Sequence, residues 1–424
     1  MKPKLITMLK GYSVRLFVSD TIAGMTVAMV ALPLSIAIAI ASGAQPAAGL
    51  VTAVVGGFFV SALGGSRVQI GGPTGAFIVV VYGVIAQFGF DGLLLATLMA
   101  GVLLVIGGLL RAGRLIALIP EPVIEGFTVG IAVIIAASQL KDLLGQNVAK
   151  TSADLVHILP ALWAARATVN VAAVTIGVVS IMLIILLRRL SARLPGSIIA
   201  IAVASAAVTL MALPVETLHS RFGELPGGIP MPSLPPITIA KISQLLPSAF
   251  LIAFLAGIES LLSALVADRM IGSTHRSNAE LLAQGAANIA SPLFGGLPAT
   301  GAIARTATNI RAGGRTPVSG IVHAGTILLV MVVAAPLAGY LAMPALAGLL
   351  IVTAWVMSEP HRWPDRLRAR SSDKFLLFLT FGLTVFSSLT VAIAVGTVVG
   401  LAQRLIRRDS DQPDDRPPRD DRAP

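Results

Sequence analysis

The sequence contains no cysteine, which excludes a disulfide framework, a cysteine-ligated zinc site and a thiol nucleophile, and leaves redox chemistry silent about the compartment. Charge is scarce as well: 12% of the 424 residues are Asp, Glu, Lys or Arg and 5% are aromatic, against 55% hydrophobic. Soluble domains carry about 25% charged residues, so water cannot be the main solvent of this fold. No Asn-x-Ser/Thr sequon occurs, and the five histidines show no metal-binding spacing, so no metal site is expected from them. No glycine-rich turn runs on into Gly-Lys-Ser/Thr, which removes an ATP-driven engine. No paired acid and base sit in a water-accessible motif, so an enzyme is not expected.

What is present is a series of apolar runs, each near the roughly 20 residues that a bilayer-spanning helix needs. Hydropathy places spans near 18–42, 47–63, 73–88, 91–111, 121–142, 168–188 and 196–213, and, after a proline-rich loop over 214–244, near 245–267, 277–292, 298–313, 317–338, 343–358, 373–387 and 388–405. Fourteen spans put both termini on one side, and the positive-inside rule then selects the basic loops. Arg67, Arg111, Arg114, Arg188, Arg189, Arg193, Arg269, Arg276, Arg311, Arg315 and Arg362 to Arg370 all fall in loops of that side, with Arg404, Arg407 and Arg408 after the last span. The net charge of +11 is therefore a topology signal; without interleaved aromatics it does not point to nucleic acid. The reading divides the chain into a cytoplasmic N-terminus (1–17), a membrane domain (18–405) and a disordered, Asp/Arg/Pro-rich tail (406–424). The expected location is the plasma membrane, in a bacterium the inner membrane.

Two short segments, Gly71-Gly72-Pro73-Thr74-Gly75-Ala76 and Gly295-Gly296-Leu297-Pro298-Ala299-Thr300-Gly301-Ala302, each pass from Gly-Gly through a proline into an apolar helix. Their Thr-Gly-Ala triplets lie 226 residues apart, the offset that carries the first span onto the eighth. A duplicated seven-span unit (about 18–213 and 245–405) has an odd number of spans, so the second copy enters the membrane inverted. Proline at a helix start with small residues after it predicts that spans 3 and 10 are half-helices beginning inside the membrane. Each start presents unpaired N–H groups and about half a positive charge, and a facing pair makes an anion site. Thr74, Gly75, Ala76, Phe77, Thr300, Gly301, Ala302 and Ile303 are the expected binding residues, with the backbone N–H groups of 75–77 and 301–303 as main donors. Arg305, two turns into the second half-helix, adds positive potential. Glu259 is read as the one acid near the centre of a span, with Ser263 one turn on. It is left as a proton carrier, a sodium ligand with Ser263, or a structural partner of Arg305. Glu121 and Glu125 are placed at headgroup level, and His323 in helix packing. No cofactor is expected beyond a coupling ion, sodium or proton. The expected partners are a small inorganic or carboxylate anion and the lipid bilayer, with a homodimer left open.

At these residues the chain closely resembles the SulP family of sulfate permeases and bicarbonate transporters, also called solute-carrier family 26. The resemblance runs through Ala31-Leu32-Pro33, Gly71 to Phe77, Gly126-Phe127-Thr128, Ile258-Glu259-Ser260 and Phe294 to Arg315. It implies an all-α polytopic membrane fold of seven plus seven inverted segments, shared with nucleobase permeases. Spans 1–4 and 8–11 would form a core that slides against a gate, with short extended stretches near 68–70 and 293–297. The implied activity is secondary transport of bicarbonate, sulfate or a small dicarboxylate, coupled to sodium or protons. An uncoupled anion channel or exchanger and a nucleobase permease of the same fold are the alternatives. Leu34, Ser388, Ala394 and Arg276 depart from the family pattern, and the STAS domain that commonly follows the last span is not in the sequence.

Overall fold

The computed structural model describes residues 2–114, 120–148, 155–190, 195–224, 226–387 and 389–410. Arg193, Ser388 and the tail from residue 411 lie outside them. Among the described residues the architecture is helical apart from one two-residue ladder and an isolated bridge between Thr217 and Ala342. In chain order the main helices are α1 (Val14–Ala41), α2 (Pro46–Leu63), α3 (Ile78–Leu109), α4 (Glu121–Leu143), α5 (Val171–Leu190), α6 (Gly196–Leu210), α7 (Ile239–Ile271), α8 (Ser277–Leu293), α9 (Ile303–Arg311), α10 (Val318–Val333), α11 (Met343–Met357), α12 (Ser371–Phe386) and α13 (Leu389–Ser410). Among the described residues, seven helical stretches are long and apolar enough to cross a membrane. Large apolar side chains such as Met182, Phe250, Leu329, Phe375 and Phe386 are exposed on the outside. Such a surface suits lipid rather than water.

Local chemistry sets several boundaries. α1 starts four residues earlier than expected because Ser13 caps it, its Oγ accepting from Leu16 N at 3.3 Å. α3 holds the third and fourth predicted spans in one run, broken at Gly89, whose φ of 72° and ψ of 178° are open to glycine but strained for other residues. α2 carries a π turn over Thr52–Gly56. There Thr52 Oγ1 accepts from Leu297 N at 2.6 Å, so the irregular turn holds the segment that leads to the second half-helix. The last helix runs on to Ser410, five residues beyond the predicted end of the membrane domain.

The helices sort into two bundles. In the first, α1 packs on α10, α8 lies along α3, and α7 contacts α3 and α9; in the second, α4 packs on α11 and α12, and α5 on α6 and α11. Small residues let backbones approach: a Cβ on Gly101 of α3 would lie 2.8 Å from the Gly285 carbonyl of α8, and one on Gly285 2.9 Å from that of Gly101. The bundles meet where α1 touches α6 and α11.

Ion pairs bind the second bundle at both ends of α4. At its start, Arg362 pairs with Glu121 and Glu125 at 3.0 Å each, and Arg366 with Glu359 at 2.8 Å and Glu125 at 3.3 Å. Glu121 and Glu125 thus belong to an ion-pair cluster as well as to the helix end. At its other end, Arg221 pairs with Asp142 at 2.7 Å and with Glu216. The 214–222 connection is itself stitched to the start of α11, with Leu218 N donating to Leu341 O at 2.8 Å and Met343 N to Glu216 O at 2.9 Å. The sequence predicts a loop here; the structure forms a short helix, Leu218–Phe222, capped by Thr217.

Candidate functional site

Two antiparallel strands, β1 (Gly71–Gly72) and β2 (Thr300–Gly301), pair in the register Gly71↔Gly301 and Gly72↔Thr300. They begin one and three residues past the extended stretches expected near 68–70 and 293–297. Ile70 still takes part, its carbonyl accepting from Ala302 N at 2.9 Å. The prolines stand before the caps rather than in the first helical turns. Pro73 precedes Thr74, which is extended, and Pro298 lies ahead of Ala302, also extended. A proline disfavours helix in the residue before it, so each holds its approach extended until the chain turns into α3 through Gly75–Phe77 and into α9 at Ile303.

Neither helix start has a side-chain cap. The two threonines are used on α7 instead: Thr74 Oγ1 donates to Glu259 Oε2 at 2.9 Å, and Thr300 Oγ1 to Ala256 O at 2.9 Å. Part of the expected donor set is spent, because Phe77 N donates to Thr74 O at 3.2 Å and Ala302 N to Ile70 O. The open donors therefore shift one or two residues along α9. Ile303 and Ala304 are exposed, and Ala76 and Glu259 half-buried, so these four mark the accessible mouth. The second bundle closes over it with apolar groups: a Cβ on Gly75 would meet Ile135 Cδ1 of α4 and Met357 Sδ of α11, each at 3.5 Å.

Arg305 is 3% exposed and donates through Nη2 to Pro73 O at 2.6 Å. Its Nη1 occupies the space a Cβ would take on Gly72, whose φ of 148° also favours glycine. Nε and Nη1 have no hydrogen-bond partner among the described residues. The guanidinium therefore clamps the turn before α3 from behind the mouth, within electrostatic reach of Glu259. Ser263 turns elsewhere: its Oγ donates to Thr306 Oγ1 at 3.2 Å, and that oxygen accepts from Ile70 N at 3.1 Å. Ser263 ties α7 to α9 and the approach to β1. His323 is fully buried, as packing predicted, and both ring nitrogens lack a partner. Among the described residues, no group of three or more His, Asp or Glu side chains is placed to hold a metal ion.

The structure adds residues that the sequence pattern does not single out. Besides Glu259, near the centre of its span, two acids close to span starts, Asp20 and Glu280, are fully buried. Asp20 accepts from Arg315 N at 2.7 Å and Thr316 N at 3.1 Å. Glu280 accepts from Gly65 N at 2.9 Å, Ser66 N at 3.1 Å, Ser260 Oγ at 3.0 Å and Gln284 Nε2 at 3.1 Å. One turn on, Gln284 also donates to Ser260 Oγ at 2.7 Å; one turn further, Asn288 brackets Ala299, donating to its carbonyl at 2.7 Å and accepting from its N–H at 2.9 Å. The spacing Glu280, Gln284, Asn288 was the available signal, a polar stripe on an otherwise apolar helix. Gln69 completes the set, donating through Nε2 to Ser260 Oγ at 2.7 Å and lying where a Cβ on Gly301 would be.

A cavity of about 560 Å³ opens between the bundles, lined by Ile40, Gln45 and Ile78 on one side and Ile134, Lys141 and Arg221 on the other. None of the expected binding residues lines it. Its lining includes Ile78, one residue past Phe77, and Ile134, the neighbour of the Ile135 that lies against Gly75.

The architecture is that of a polytopic helical membrane protein in which the approaches to two helix starts pair as antiparallel strands beside a buried arginine. Residues 17–380 match the model of the sulfate permease family, and the chain belongs to that family, whose relatives are transporters and not enzymes. It is 43% identical over 404 residues to the "Putative sulfate transporter YvdB" of Bacillus subtilis (strain 168), covering 95% of this chain and 76% of that protein. It is 32% identical over 394 residues to the "Bicarbonate transporter BicA" of Picosynechococcus sp., covering 90% of this chain and 69% of the relative. Among solved structures, the transmembrane domain of a cyanobacterium bicarbonate transporter BicA superposes with a TM-score of 0.80 at 30% identity, covering 92% of this chain and 98% of the other. The murine Solute Carrier 26 family member A9 anion transporter superposes with a TM-score of 0.87 over 96% of this chain and 71% of its own; at 19% identity it speaks for the fold alone.

Proposed function

We propose that the protein is a secondary transporter of a small anion across the plasma membrane, with bicarbonate, sulfate or a dicarboxylate as candidate substrates. The observation that carries the reading is the pair of uncapped helix starts at Gly75 and Ile303, brought together by the β1–β2 pair beside a buried guanidinium. Helix starts offer N–H donors and about half a positive charge each, and Arg305 adds a full one, so an anion is favoured over a neutral base. Counted on either side of the break at Gly89, the thirteen main helices named above among the described residues make fourteen segments, which supports a seven-plus-seven inverted repeat with both termini in the cytoplasm. The two bundles contain the segments of the proposed core and gate, and transport is a displacement of the first against the second. The coupling ion is a proton or sodium at Glu259, the one carboxylate at the mouth. Ser263, held by Thr306, is not poised beside it in this state, which favours the proton.

The test is uptake into proteoliposomes of labelled bicarbonate, sulfate and a dicarboxylate, with proton and sodium gradients imposed one at a time. Accumulation of one anion against its gradient is expected, driven by the inward proton gradient. Downhill flux unaffected by either gradient would make the protein an uncoupled exchanger or channel.

A further inference from the structure

The mouth of the site holds one carboxylate among donors. Glu259 Oε2 accepts from Thr74 Oγ1, Glu259 is half-buried, and no second hydrogen bond to it is made among the described residues. Arg305 balances its charge without bonding it, since Nη2 is directed to Pro73 O. The groups that face this carboxylate are therefore Thr74 from the approach to α3 and Arg305 from α9. α4 and α11 bring the apolar Ile135 and Met357 to the mouth, and the buried His323 of α10 faces Arg305.

A bound anion must lie against the N–H groups and beside Glu259. Two helix starts supply about one unit of positive charge together. With Glu259 ionised and Arg305 charged, that neutralises one monoanion and leaves a dianion uncompensated in a medium where each unpaired charge is costly. Geometry adds a second condition. An oxygen without hydrogen would meet the free lone pairs of Glu259 oxygen against oxygen, whereas an O–H donates into them.

We propose that Glu259 accepts the hydrogen of the bound anion's own O–H, so that the site takes a protonated oxyanion, bicarbonate being the smallest, in preference to one that carries no hydrogen. This rests on the anion-transport reading above and names the substrate class within it. A bare oxyanion such as sulfate or nitrate binds only after Glu259 itself has taken up a proton. The hydrogen between carboxylate and anion is then present in every loaded state, delivered by the substrate in one case and by the solvent in the other.

Nitrate is the discriminating probe: it matches bicarbonate in planar shape and single charge and lacks the hydrogen. Affinities for the two are measured by competition on purified protein in lipid nanodiscs. At mildly alkaline pH bicarbonate is expected to bind at least about tenfold more tightly, the value of one hydrogen bond to a charged group. Nitrate should tighten on mild acidification, with uptake of a proton seen as a buffer-dependent heat. In Glu259→Gln the amide donates to a bare oxygen, so nitrate should tighten, bicarbonate weaken, and the preference vanish or reverse. Equal or tighter nitrate binding by the wild type, or an unchanged preference in the variant, overturns the proposal. If the variant does not fold, the wild type alone decides, because nitrate affinity indifferent to pH is equally fatal. Failure of both anions to bind under any condition would instead bring down the anion-transport reading itself.

Discussion

Replacing Gly301 with alanine places a methyl group where the Gln69 amide sits. That amide is not free to move aside, because Nε2 donates to both Ser260 Oγ at 2.7 Å and Ser260 O at 3.2 Å. Making room means withdrawing the side chain and losing both bonds, each worth about 0.5–1.5 kcal/mol net. The strand pair must also be pushed apart, at an overpacking cost of about 1–3 kcal/mol. Together these give a destabilisation of about 2–6 kcal/mol, and β2 shifts relative to β1, moving the α9 donors from the mouth. The assay is thermal unfolding of purified protein alongside uptake in proteoliposomes, for Gly301→Ala, Gln69→Ala and the double variant. The single Gly301 change should lower the unfolding midpoint by several degrees and abolish uptake. The double variant should be more stable than the sum of the singles, because the obstructing amide is gone; such non-additivity is the signature of direct contact. A Gly301→Ala protein with wild-type midpoint and uptake, or strictly additive losses, would rule out this contact as the cause.

Arg221→Gln should leave Asp142, 6% exposed, without its cation, and cost about 1–3 kcal/mol, less than for a fully buried pair because Arg221 is 25% exposed; adding Asp142→Asn should recover much of the loss in a chemical-denaturation series. Glu280→Gln puts an NH₂ group among donors from Gly65, Ser66 and Ser260, so thermal unfolding should show a loss of about 1–3 kcal/mol for the unmatched buried group. Burial and the hydrogen bond to Asp20 push the Tyr12 hydroxyl from its ordinary value of 10.0 up to about 12. Its contribution to stability is thus full below the unfolded value and lost as pH rises through the folded one. Tyr12→Phe should flatten that alkaline decline in a pH series of unfolding midpoints, and an unchanged decline would remove Tyr12 as its source.

The helices were legible because a bilayer demands a long apolar run for every crossing, and such runs are contiguous in sequence. The two helix starts were legible for a similar local reason: Gly-Gly, proline and Thr-Gly-Ala restrict the backbone within a few residues. Ser263 shows the limit of that reasoning. It follows Glu259 by one turn, yet its hydroxyl turns to Thr306, a partner 43 positions away. Glu280 was passed over because an acid in the first turn of a helix reads as a solvated end; only the loop at Gly65 and Ser66, folded over it, makes it a buried anchor.

From the sequence came the solvent of the fold, its long apolar helices and the two glycine- and proline-marked approaches that pair as β1 and β2, since each follows from the chemistry of neighbouring residues. The tertiary structure alone decided which donors remain open at the mouth, where Arg305 directs its guanidinium, and which amide lies against Gly301. Those outcomes depend on distances between segments more than 180 residues apart, such as Thr74 to Glu259 and Pro73 to Arg305. Hydropathy and spacing carry no information about such distances; they are set when α7, α8 and α9 pack around the strand pair.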